Sequence, residues 1–212
     1  MGTEIKPEIL IDIKPAAMES SRVSGPFDKA LEVLTENDYE LISLPQNALL
    51  RIQQGVHSYI SENANWTRET FVYDKQRGIY LTKIPLIMEN AGEATRVHRE
   101  GKNYLLTDEQ VERALEDSVR IEDLVRVGER GIPTNRFGEN ELTNYVFDEI
   151  AQQYGQFLQD FGIKAMPIWL ADLIDKPFAT QMWFRSLIDS SVLYGAGKDL
   201  HDDRRLRGVK AA

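Results

Sequence analysis

Acid–base or metal chemistry in this chain can draw on three histidines, His57, His98 and His201, on the acids beside the last of them, and on paired carboxylates such as Glu116/Asp117 and Glu122/Asp123, which read as a solvated acidic face. Asp199, His201, Asp202 and Asp203 offer carboxylate oxygens and an imidazole close together, a donor set suited to a divalent cation. His98 with the later His201-Asp202 pair follows the order of a metal-dependent phosphohydrolase only in part. The intermediate histidine and a well-separated downstream aspartate are missing. The same acids adjoin Arg204 and Arg205, the pattern of a solvated charged strip. No metal ligand and no cofactor is therefore assigned.

Nucleophilic and phosphate-loop chemistry fail on named residues. There is no cysteine, which removes thiolate nucleophiles, disulfides and thiolate metal sites together. No Gly-x-Ser-x-Gly elbow occurs. Gly195-Ala-Gly197-Lys198 imitates a phosphate loop, but Val192 stands where its first glycine belongs and Asp199 where a hydroxyl would hold magnesium. No catalytic residue is assigned from the sequence.

One stretch does combine the groups that recognise a ligand. Between 63 and 102, Asn63, Asn65, Trp66 and Arg68 precede a hairpin, and Arg96, His98, Arg99 and Lys102 cluster around a short helix. Segment 68–103 carries 7 basic and 5 acidic side chains in a chain whose net charge is −9. Arginines hold phosphate bidentately and a tryptophan stacks on a base, so Trp66, Arg68, Arg96, His98, Arg99 and Lys102 are the candidate ligand-binding residues. Against that stand Glu89, Glu93 and Glu100, which can neutralise the cations, and a tryptophan's general preference for the core.

The elements that must position these groups read as α+β. The prediction is a small antiparallel sheet around a 68–83 hairpin, packed with about five helices. Residues 71–73 and 79–82 are β-prone and flank a polar turn at 74–78. Pro26 opens one helix and Ser43-Leu-Pro45 a second. Thr107-Asp-Glu-Gln110 forms a capping box before a third. The strongest periodicity, Leu142, Val146, Ile150, Tyr154, Phe157, Leu158 and Phe161, predicts one long amphipathic helix near 139–161. A further helix is expected over 177–193. The organisation expected is an N-terminal arm (1–25, with a short strand at 8–13), an α+β region (26–127), a loop at 128–138, a helical region packed on it (139–194) and a charged C-terminal tail (195–212), compact as one domain overall.

The 212 residues, 42% hydrophobic and 28% charged, suffice for a sizeable core. No apolar run approaches the ~18 residues of a membrane span, and no signal peptide is visible. No membrane association and a cytoplasmic location are expected. The acidity argues against broad nucleic-acid binding. The leading expectation is a non-enzymatic interaction or self-associating protein, partnered by another protein or by itself, with the long helix and the apolar 163–193 region as contact surface. Phe157, Phe161, Trp169, Phe178, Trp183, Phe184 and Tyr194 can fill a core or leave an exposed contact patch. The alternatives are nucleic-acid or nucleotide-phosphate binding through 63–102, and a metal-assisted hydrolase using Asp/His ligands around 199–203.

Overall fold

The computed structural model of the protein describes residues 18–121, 131–197, 199–202 and 204–211. The strand expected at 8–13, part of the 128–138 loop, Lys198 and Asp203 lie outside the described residues. In chain order the elements are β1 (Met18–Gly25), α1 (Phe27–Glu36), β2 (Glu40–Leu41), α2 (Leu44–Gln54), α3 (Tyr59–Glu62), β3 (Asn65–Asp74) and β4 (Gly78–Thr82). There follow α4 (Leu86–Glu89), α5 (Ala91–Arg99), β5 (Tyr104–Leu105), α6 (Asp108–Glu116), β6 (Ser118–Arg120) and β7 (Ile132–Pro133). The last are α7 (Glu141–Phe147), α8 (Ala151–Asp160), β8 (Ala165–Met166), β9 (Ile168–Trp169), β10 (Phe178–Phe184), β11 (Leu193–Tyr194) and β12 (Arg204–Ala211).

Ten of the strands form one sheet, whose spine runs β1-β12-β3-β10-β11-β9. Most pairs are antiparallel, but β12 meets β3 and β11 meets β9 in parallel. This corrects the expected fold: the sheet is large and mixed, and of the 68–83 hairpin β3 lies within the sheet spine while β4 branches from it. Two segments account for the difference. Phe178–Phe184 is a strand paired with β3, in place of the helix expected over 177–193. All of it except Trp183 is buried, so neither face alternates, and Phe178, Met182 and Leu187 imitate a helical stripe. The charged terminus forms β12, an eight-residue interior strand between β1 and β3.

The helix expected near 139–161 is broken. The chain takes a left-handed turn at Asp148 (φ 50°) and a short 3-10 segment follows before α8. Lys83 anchors the break, its Nζ 2.6 Å from Asp148 Oδ1. A straight helix buries one stripe; the break lets α7 bury Leu142, Val146 and Phe147 while α8 buries Ala151, Tyr154 and Leu158. Phe137, Phe147, Tyr154 and Phe184 pack there with ring centroids 4.9–6.5 Å apart. Local capping follows the sequence more directly. Thr107 Oγ1 accepts from Gln110 N at 3.2 Å while Gln110 Oε1 accepts from Thr107 N at 3.0 Å, and Ser43 and Gln46 repeat the pattern on α2.

Where β3 passes from β12 to β10 its register slips, with Gln181 opposite Thr70 but Trp183 opposite Trp66. The Gln181 carboxamide fills the bulge, donating to the carbonyls of Thr67 and Glu69. Glu69 itself is buried; its Oε1 accepts from Leu44 N at 2.9 Å, and burial raises its pKa above the ordinary carboxylate value. A folded-state pKa above the unfolded value means that this group's contribution is complete below about pH 4.3 and is lost as pH rises through the folded value. Glu69→Gln keeps the acceptor toward Leu44 and the donor of the protonated acid but cannot ionise. The expected result is a flatter decline of urea midpoint on the alkaline side, by about 1.4 kcal/mol for each tenfold rise in the carboxyl's proton affinity. Superimposable pH–stability curves for the two proteins would refute it.

Candidate functional site

Trp66, singled out by the sequence, is the inner end of an aromatic row across four strands. It stands opposite Trp183 of β10, Trp183 stands opposite Tyr194 of β11, and Tyr194 is in register with Trp169 of β9. Residues in register share a face of the sheet. The row is buried at one end and open at the other. Trp66 is 2% exposed against Phe27 and Trp183, at centroid distances of 6.1 and 4.7 Å; Trp169 is 48% exposed and meets Tyr194 edge-on at 5.9 Å. Pro167 precedes β9, which forms the edge of the sheet spine and so carries its tryptophan outward.

Two arginines complete the row. The Arg204 guanidinium lies 5.2 Å from the Trp183 ring, and that of Arg185 lies 5.4 Å from the Trp169 ring. Each is oriented by an acid: Arg204 by Asp199 at 2.7 Å, Arg185 by Asp189 at 3.1 Å. Between Arg185 and Val192 the chain turns outward and presents Ile188, 76% exposed, with Ser190 and Ser191 both at positive φ.

This loop is held from inside by Arg51 of α2. Arg51 is fully buried and donates to Arg185 O (2.9 Å), Ser191 Oγ (3.1 Å) and Tyr154 OH (3.2 Å), its guanidinium 4.0 Å from the Phe184 ring. On the β11 side, Gly195 O accepts from Tyr73 OH at 2.9 Å and from Thr180 Oγ1 at 2.6 Å. A Cβ at Gly195 would come within 2.4 Å of the Phe71 ring, so only glycine fits that approach. The open aromatic face therefore rests on a buried, hydrogen-bonded support.

The other sequence candidates do not join it. Arg96 binds Glu93 and Glu100, each at 2.7 Å, and Lys102 binds Glu100 at 2.7 Å; these cations hold the two carboxyls below the usual range. Arg68 lines a separate depression with Asp38, Glu40 and Met88. His98 is buried in the α5 packing and Arg99 is exposed. Thus 63–102 is one segment of sequence but not one site. Asp199 and Asp202 face Arg204, and His201 Nε2 lies 3.5 Å from Asp202 Oδ1. Among the described residues no three His, Cys, Asp or Glu side chains converge as a metal site. Also among them, no helix is long and apolar enough to cross a membrane.

Trp169, Trp183 and Tyr194 were among the aromatics of the last third that the sequence offered as either core or contact patch, without a way to choose between the two. Arg185 and Arg204 were not singled out, since nothing local to them marks a site.

No protein-family model and no curated protein matches the chain. A solved structure described as "Accommodation of massive sequence variation in Nanoarchaeota by the C-type lectin fold" superposes on it with a TM-score of 0.66 and 16% identity. The match covers 99% of this chain and 100% of that one. It confirms the correction made above, a large mixed sheet in place of a small antiparallel one, and the chain adopts a C-type lectin fold.

Proposed function

We propose that the protein is a binding module whose open aromatic face, formed by Trp169, Tyr194, Trp183, Arg185 and Ile188, docks a protein partner. The observation that carries this reading is the gradient along one row, from fully buried Trp66 to half-exposed Trp169, with an arginine on each side. Trp, Tyr and Arg are the side chains that dominate interface energetics, because each combines large apolar area with a directed polar group. The structural neighbour is described as a fold that accommodates massive sequence variation. That description suits the architecture here, where Arg51, Tyr73 and Gly195 support the face from behind and leave its outward side chains free to serve recognition.

The test is affinity. A partner recovered from the source cells by the wild-type protein is expected to bind Trp169→Ala and Arg185→Ala at least tenfold more weakly, about 1.4 kcal/mol or more each, with unchanged melting temperatures. Equal binding by the double variant would overturn the proposal. So would a glycan array on which the wild type binds a sugar and the Trp169 variant does not, since that assigns the face to a carbohydrate.

A further inference from the structure

The opposite face of β12 carries a second cluster that the aromatic face does not use. Alternation along a strand sends Arg204 and Leu206 to the side of Trp66 and Trp183, and Arg205 and Arg207 to the other side. On that side Arg22 of β1 stands in direct register with Arg207. All three guanidiniums gather on one phenol ring: the carbons of Arg22, Arg205 and Arg207 lie 3.8, 5.5 and 5.7 Å from the Tyr59 ring centroid.

Like charges directly opposite each other on a sheet repel. Nothing among the described residues balances two of these three by charge. Among the described residues no carboxylate lies within 4.0 Å of the Arg22 or Arg205 guanidinium. Glu62, the acid nearest Tyr59 in sequence, is placed 3.7 Å from His57 Nδ1 instead. Arg205 donates to the neutral Asn63 Oδ1, and Arg207, itself buried, donates to Ser20 Oγ at 2.7 Å among its contacts. Elsewhere on this acidic chain Arg77, Arg96, Arg113, Arg185 and Arg204 all meet carboxylates. The cluster is also graded from buried Arg207 through half-buried Arg22 to exposed Arg205, so it opens to solvent.

We infer that Arg22 and Arg205, with buried Arg207 adding its positive charge behind them, form a binding site for a tetrahedral oxyanion, phosphate or sulfate. Guanidinium forks offer such an anion paired N–H donors, and partial burial limits screening by water. The Tyr59 ring holds the forks together through its π face, and Arg22 at 3.8 Å covers that ring. With Arg22 on one face of that ring, the anion itself, rather than a stacked base, is the recognised group in this proposal.

The experiment is titration of the whole chain with inorganic phosphate and, separately, sulfate, at constant ionic strength set with chloride, read by calorimetry and thermal shift. Saturable binding is expected, with a melting temperature that rises with anion concentration beyond the chloride control. The larger of the two shifts identifies the preferred anion. Arg22→Gln combined with Arg205→Gln, both outside the core, is expected to weaken binding at least tenfold while the anion-free protein still melts cooperatively. Tyr59→Phe, which keeps the ring, is expected to bind as the wild type does. An anion response no larger than chloride's, or one that persists in the Arg22/Arg205 double variant, would overturn the assignment.

Discussion

Trp66→Ala should lower the unfolding free energy by about 3–5 kcal/mol, the range for removing a fully buried aromatic side chain. The residue is 2% exposed, touches Phe27 and Trp183, and lies where β3 is in register with both β10 and β12. Its loss opens a cavity at the junction of three strands, which the surrounding sheet can close only in part. A second consequence separates it from an ordinary core residue. Trp183 loses the ring that positions it, so partner binding should weaken even though Trp66 is itself buried. Urea unfolding and affinity measured on the same variant check both. A destabilisation below about 1 kcal/mol would mean that the junction repacks around the missing ring.

Arg51→Met is the second large effect, expected at about 2–4 kcal/mol of destabilisation. The argument has two sides. A buried guanidinium is costly to desolvate, and exchanging a complete buried ion pair for apolar residues is often neutral. Here, however, the partners are a backbone carbonyl and two hydroxyls, and they remain after the exchange. Tyr154 OH and Ser191 Oγ can still bond each other at 3.0 Å, whereas Arg185 O is left without its side-chain donor. The loss should be concentrated in the 185–191 loop, where Ser190 and Ser191 occupy positive φ and need support. Hydrogen exchange at 186–191 should accelerate more than in β3 or β10, and Arg185 should lose its fixed position over Trp169. Uniform acceleration across the sheet would point to global destabilisation alone.

Local features of the fold were legible because their causes lie within a few residues. Pro26, the Ser43 and Thr107 capping boxes and the turn at 74–78 act through hydrogen bonds three or four positions apart, and each element begins or turns where those residues stand. The terminal strand had no such local cause. In 195–212 the sequence sets a block of acids beside a block of arginines, which reads as a solvated tail. In the structure Leu206 and Val209 are buried, and the strand is completed by β1, nearly the whole chain length away. Periodicity misled at β10 for a related reason. A strand covered on both faces shows no alternation, and the spacing left over matches a helix.

The candidate site divides in the same way. From sequence, Trp66 is a large amphipathic ring next to a hairpin, and Arg96, Arg99 and Lys102 are cations near it in number. Pairing then decided the neighbours: the ion pairs of α5 occupy Arg96 and Lys102, while strand register brings Trp66 to Trp183, Tyr194 and Trp169, residues more than 100 positions further on.

What the sequence determined by itself, then, is where the chain turns and caps, that a core of this size exists, and that it holds no cysteine, no Gly-x-Ser-x-Gly elbow and no complete phosphate-loop motif. Only the tertiary structure decided which side chains share a face. That depends on register between strands far apart in the chain, and a shift of one residue would exchange Arg204 with Arg205 and trade the aromatic face for the arginine cluster behind it.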